Sequence, residues 1–214
     1  MSLATLLVLA DGRLPAGGHA HSGGLEAAVA SGRVRDLAGL GGFLRGRLAT
    51  SGLVTAAFSA AGCARTAAWS DLDAGLDART PSPALRKASR AQGRALLRAG
   101  RAMWSVPATG RDLHHAVALG IVAAAAGLGP HDAATAAAHG TVTGPANAAV
   151  RLLGLDPYGV HALLARLAGD CDRIAADAAV RIDDPVDALP AAGAPLLDIG
   201  AEIHAAWEVR LFAS

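Results

Sequence analysis

Two histidines one residue apart, His19 and His21, sit in a glycine-rich run: Leu14-Pro15-Ala16-Gly17-Gly18-His19-Ala20-His21-Ser22-Gly23-Gly24-Leu25-Glu26. Neutral imidazoles suit borderline divalent metals. Glycine permits positive φ and close backbone approach, while Pro15 fixes one φ and removes a donor. The run therefore predicts a tightly shaped loop with polar decoration, fit for metal or partner contact, feeding a helix from Leu25. A second imidazole pair, His114-His115, and the thiols of Cys63 and Cys171 could add ligands. No His-Glu-x-x-His or Cys-x-x-Cys is present, and the spacing closes no four-ligand set. Histidines bonded within loops and helix ends, or a metal site that is transient or shared, fit this pattern better than a closed centre. The thiols fall on apolar helix faces and read as small packed hydrophobes.

Other chemistries find less support. Gly17-Gly18 and Gly23-Gly24 lack the Gly-x-x-x-x-Gly-Lys-Ser/Thr pattern and any nearby lysine, so no phosphate-cradling loop is expected. No Gly-x-Ser-x-Gly turn exists, and adjacency of His21 and Ser22 does not give triad geometry. A net charge of +1 without a cluster of cations argues against nucleic acid as the main partner. Lys87 is the only lysine beside eighteen arginines, a composition that reads as base bias.

Helices must position these residues. Of 214 residues, 52% are hydrophobic but only 3% aromatic, which predicts helices packed closely through alanine. Asp36 is placed to cap a helix bearing Leu37, Leu40, Leu44 and Leu48. A second helix is expected over 53–68, and Ser70 to Pro83 reads as an exposed connector. From Ala84 to Met103 a helix carries Arg86, Arg90, Arg94, Arg98 and Arg101 on one face. That face is either met by Asp71, Asp73 and Asp77 or offered to a second protein. Further helices are expected over 112–127, from His131 to about His139, over 145–153, and along the stripe from Val160 to Ala178. Residues 182–195 read as loose. The longest apolar stretch, Ala116 to Gly129, is shorter than the roughly 18–20 residues that span a bilayer, so no membrane segment is expected. Leu3 to Ala10 has no basic residue before it and does not read as a signal peptide; with two cysteines, the expectation is a reducing cytoplasm. The chain reads as all-α, with a helical bundle over 1–195 and an appended segment over 196–214. That segment carries Trp207, Leu211 and Phe212, large apolar groups suited to a partner's groove or to packing on the bundle itself.

Three blocks in order resemble the urease accessory protein UreF family: Leu14 to Glu26, Ala91-Gln92-Gly93, and Arg210-Leu211-Phe212-Ala213-Ser214 with His204 six residues earlier. Ala148-Ala149-Val150-Arg151-Leu152 is similar to the family's small residues leading to Arg-Leu. The chain departs from the family where Gly154-Leu155-Asp156-Pro157 replaces a Pro-Leu-Gly-Gln run and where Trp207-Glu208 follows His204-Ala205-Ala206. The resemblance implies an all-α protein that is not an enzyme. It implies a homodimer that binds UreD (UreH) largely through its C-terminal segment, recruits the GTPase UreG and delivers nickel to apo-urease. No tightly bound cofactor is implied, with nickel in transit. It marks Pro15, Gly17, Gly18, His21, Ser22, Gly24, Glu26, Arg151, His204, Trp207, Arg210, Leu211 and Phe212 as partner-binding, with His19 and His21 the candidate metal residues. The alternative from the residues alone is a metal-dependent helical enzyme using His19, His21, His114 and His115.

Overall fold

The computed structural model describes residues 2–65, 68–109 and 112–214, whose regular elements are all helical, with no strand among them. The helices are α1 (Leu3–Ala10), α2 (Leu25–Ala30), α3 (Leu37–Arg47), α4 (Leu53–Ala64), α5 (Trp69–Arg79), α6 (Pro83–Met103), α7 (His115–Ala125), α8 (Pro130–Leu153), α9 (Pro157–Ala179) and α10 (Pro195–Ala205). A π turn, Leu48–Gly52, joins α3 to α4.

α4 is the axis of the bundle and packs on α7, α8 and α9. From Ala56 to Cys63 it is buried on all sides because these residues are Ala, Gly, Ser or Cys, with Phe58 as the one large filler. α7 is equally enclosed from Ala116 to Val122 and beyond. A Cβ on Gly120 would overlap main-chain atoms of Ser59 and Cys63, so glycine sets how closely α7 approaches α4. Ser59 Oγ donates to the Ala116 carbonyl across that contact at 3.0 Å. Both thiols are buried, and burial pushes each pKa up to about 11, as expected of packed hydrophobes rather than ligands.

Four expected boundaries change. Residues 69–79 form α5 rather than a connector, because Leu72, Asp73 and Leu76 make one buried side and the carboxylate of Asp73 has partners inside. The separate segments over 131–139 and 145–153 are one helix, α8, with Pro145 inside it. α4 stops at Ala64; residues 66 and 67, into which that helix was expected to run, lie outside the described residues. α7 begins at His115 because Asp112 turns its carboxylate to Arg94 at 2.7 Å instead of capping the helix.

Pro145 has no N–H, so the Thr141 carbonyl one turn earlier loses its helical donor. Arg47 supplies the replacement: its Nε donates to Thr141 O at 3.2 Å while Nη1 donates to Gly23 O at 2.7 Å. One guanidinium thus mends α8 and anchors the glycine loop to it. Burial pushes its pKa down to about 10, still well above neutrality.

Candidate functional site

The glycine loop folds as backbone geometry alone would require. Gly17, Gly23 and Gly24 have φ of 75°, 62° and 88°. Gly23 has no room for a Cβ beside Pro145 and Arg47, and Gly24 packs on Leu197 of α10. Gly18 opens a short 3-10 turn, Gly18–Ala20, with nothing near its missing side chain. Pro15, Gly18 and His19 are exposed.

The segment after α10 returns along this loop. Ala213 N–H donates to Ala20 O at 2.7 Å and Ser22 N–H to Ser214 O at 2.6 Å. Ser22 Oγ donates to the same Ser214 oxygen at 2.9 Å, and His21 Nδ1 lies 2.6 Å from Ser214 Oγ. Glu26, in the first turn of α2, is the centre of the arrangement. Its carboxylate accepts Leu211 N–H at 2.9 Å, Phe212 N–H at 3.1 Å and bonds His204 Nε2 at 2.8 Å. Burial alone would raise the Glu26 pKa, but the Leu211 N–H, His204 and the Phe212 N–H outweigh it and hold it below the ordinary carboxylate value. His204 stacks obliquely on Trp207 at 4.8 Å, and Arg151 covers the buried Phe212 ring at 5.0 Å.

The structure therefore brings Ser22, Gly24, Glu26, Arg151, His204, Trp207 and Phe212 into one assembly, and His21 joins it through Ser214. Phe212 points into the bundle, whereas Arg210 and Leu211 are exposed beside it. The segment over 196–214 is thus built into the bundle, the packed arrangement that its apolar residues allowed.

Below the loop lies a cleft of about 500 Å3, lined in part by His19, His21, Ser89, His115, Asn147 and Arg151. His115 is half-buried, and burial followed by the proximity of His21 pushes its pKa down to about 4. Burial, then His19, lowers His21 as well. Both are neutral imidazoles at physiological pH. Among the described residues, no three His, Cys, Asp or Glu side chains converge as a metal site.

His114 is not available for that purpose. It bonds Ser89 Oγ at 3.0 Å and Asp77 Oδ1 at 2.9 Å, and its N–H donates to Asp73 Oδ1 at 2.8 Å. The Ser–His–Asp order resembles a catalytic relay, but Arg90 ion-pairs with Asp77 at 2.7 Å and with Asp73 at 2.9 Å. His115 N–H also donates to Ser89 Oγ. These bonds tie α5, α6 and α7 together. The arginine face of α6 is accordingly split: Arg86 and Arg90 turn to Asp77 and Asp73, Arg94 pairs with Asp112, and Arg98 and Arg101 stay exposed. Asp73 and Asp77 meet the arginine face as the sequence allowed; sequence patterns missed Arg47 and Ser89, and only a cation in a Gly/Leu helix hinted at Arg47.

No helix among the described residues is long and apolar enough to cross a membrane. The UreF family model matches residues 34–168. A urease accessory protein UreF of Mycolicibacterium vanbaalenii is 50% identical over 219 residues, covering 100% of this chain and 99% of that protein. One from Mycobacterium sp. strain JLS is 49% identical with the same coverage, and one from Mycobacterium tuberculosis is 45% identical over 95% of this chain and 94% of that protein. The chain belongs to the UreF family, and it is a urease accessory protein rather than a catalytic enzyme.

Proposed function

We propose that this protein is the non-catalytic assembly component of urease maturation, joining UreD (UreH) and the GTPase UreG to apo-urease, working as a homodimer in the cytoplasm, with nickel as cargo. The observation that carries the reading is the convergence of the two sequence blocks that resemble the family most. The glycine loop and Arg210 to Ser214 meet through Glu26, Ser22 and Ser214, fixing His19, Arg210 and Leu211 on one exposed surface. Nothing in that surface performs bond chemistry; its order serves recognition. A rigid backbone-defined patch loses little conformational freedom when a partner lands on it. Exposed Leu196, Ile199 and Ile203 on α10, with Val209 and Leu211, extend it with apolar area suited to UreD. His21 and His115 in the cleft offer neutral nitrogens to a passing nickel ion without a ligand set that would retain it.

The test is co-expression with UreD, UreG and apo-urease, followed by sizing and nickel analysis. The expected outcome is a complex containing all components, nickel-poor isolated protein, and no GTP turnover without UreG. Gly18→Val should leave the fold intact, because that site is open, yet impair urease activation. Normal activation by Gly18→Val would show that the loop surface is not used.

A further inference from the structure

A groove of about 460 Å3 runs between α3 and the start of α10, meeting the apolar stripe of α10 at Leu196. Val34 and Phe43 form one wall, Leu196 and Leu197 the other. Gly42 and Gly46 line its edge, and no atom lies within 4 Å of where a Cβ would stand at either. Another helix can therefore reach the α3 backbone closely, with apolar side chains beneath it. Leu196, 62% exposed, belongs both to the groove and to the outer apolar stripe of α10.

The charges are one-sided. The charged residues lining the groove are Arg33 and Arg47. Arg47 is committed to the two carbonyls described above. Arg33 is exposed, its Nε donates to Ser31 Oγ at 2.8 Å, and no carboxylate among the described residues pairs with it. Exposed Arg35 and Arg45 on the same stretch also have no ion pair among the described residues. Asp36, the one acid between residues 33 and 47, accepts the Gly39 N–H at 2.8 Å as the cap of α3.

We propose that this groove receives an amphipathic helix of another protein in the urease-maturation assembly, with a carboxylate on its apolar face directed at Arg33. The proposal rests on reading this chain as an assembly component and adds the chemistry of one contact. A second copy docking through the same face would oppose arginine to arginine, which disfavours it. An acidic helix gains from the same charges, and an approach steered by them is sensitive to salt.

The test uses the full chain with UreD, UreG and apo-urease, comparing wild type with Gly42→Leu, which fills the groove, and Arg33→Glu, which reverses its charge. Circular dichroism and melting curves establish that both variants fold. Each should weaken capture of one of the three partners by about tenfold or more, and a carboxylate-to-lysine change in the cross-linked partner helix should restore binding to Arg33→Glu. Capture unchanged by both variants overturns the groove while leaving the assembly reading intact. Sensitivity to Gly42→Leu alone overturns the acidic occupant, and conversion of a dimer to monomer by either variant assigns the groove to a second copy. Wild-type protein that captures none of the three overturns the assembly reading and this proposal together.

Discussion

A carboxylate that accepts two main-chain N–H groups and an imidazole keeps its charge in a buried setting, because each bond favours the ionised form. Glu26→Ala removes both carboxylate oxygens and with them three bonds, those from the Leu211 and Phe212 amides and from His204. Chemical denaturation should show a loss of about 3 kcal/mol, in the range for breaking a buried, bonded charge. Because the native Glu26 pKa is lowered, its contribution is complete above the unfolded-chain value of about 4.3 and is lost as pH falls through the lower native value. His115 acts over a different window. Its pKa of about 4 in the fold against 6.5 free means the unfolded chain binds the extra proton between those values, so stability falls as pH drops from 6.5 to 4. His115→Asn should flatten that slope in denaturation series collected across the interval; an unchanged slope would show that His115 does not drive it.

At the scale of elements, α8 contains a proline and α3 contains the arginine that compensates for it. Replacing Pro145 by alanine restores an N–H for Thr141 O, so Arg47 then matters less. Arg47→Met should cost about 2 kcal/mol alone, and about 1 kcal/mol less in the Pro145→Ala background, a coupling that a double-mutant cycle measures. The residual cost is the Gly23 carbonyl, to which Arg47 Nη1 also donates. Glycines divide in the same way. Gly120→Ala forces α7 off α4 and should destabilise by about 1–3 kcal/mol or more. Gly140→Ala, open and mid-helix, should stabilise by about 0.5–1 kcal/mol. Thermal melts of the two variants moving in opposite directions would establish which glycines are spacers.

At the scale of the whole molecule, a chain shortened after Ala206 loses the Phe212 ring from the core and the two main-chain bonds, Ala213 to Ala20 and Ser22 to Ser214, that hold the loop. It should keep its far-ultraviolet helical signal, melt lower than the full chain and bind a hydrophobic dye as the cleft opens. A melt identical to that of the full chain would show that the segment is not holding the loop. The all-α class and the span of α6 and α9 were legible in the sequence because the arginine spacing over 84–103 and the apolar stripe from Val160 to Ala178 are local signals. The residues of the loop assembly were named through the family resemblance, as partner-binding residues. What the set does to itself was not legible: Glu26 and Leu211 are 185 positions apart, and nothing in either neighbourhood shows that one caps the other. α5 and the unbroken α8 were missed for one reason. Their local signals, aspartates in one and a proline in the other, are overridden by partners contributed from distant helices.

The bonds between Ser22 and Ser214 span 192 positions. During synthesis at roughly 5–20 residues per second, the glycine loop emerges tens of seconds before the residues that close it. The bundle helices can pair in the meantime, but Gly17 to Gly24 waits without its main-chain partners. The surface made by the loop and residues 210–214 together therefore forms only after those last residues have been made, and a chain stalled or cut before them displays the loop without its partners. A binding partner that reads this surface discriminates chains that carry residues 210–214 from shorter ones without any separate proofreading step.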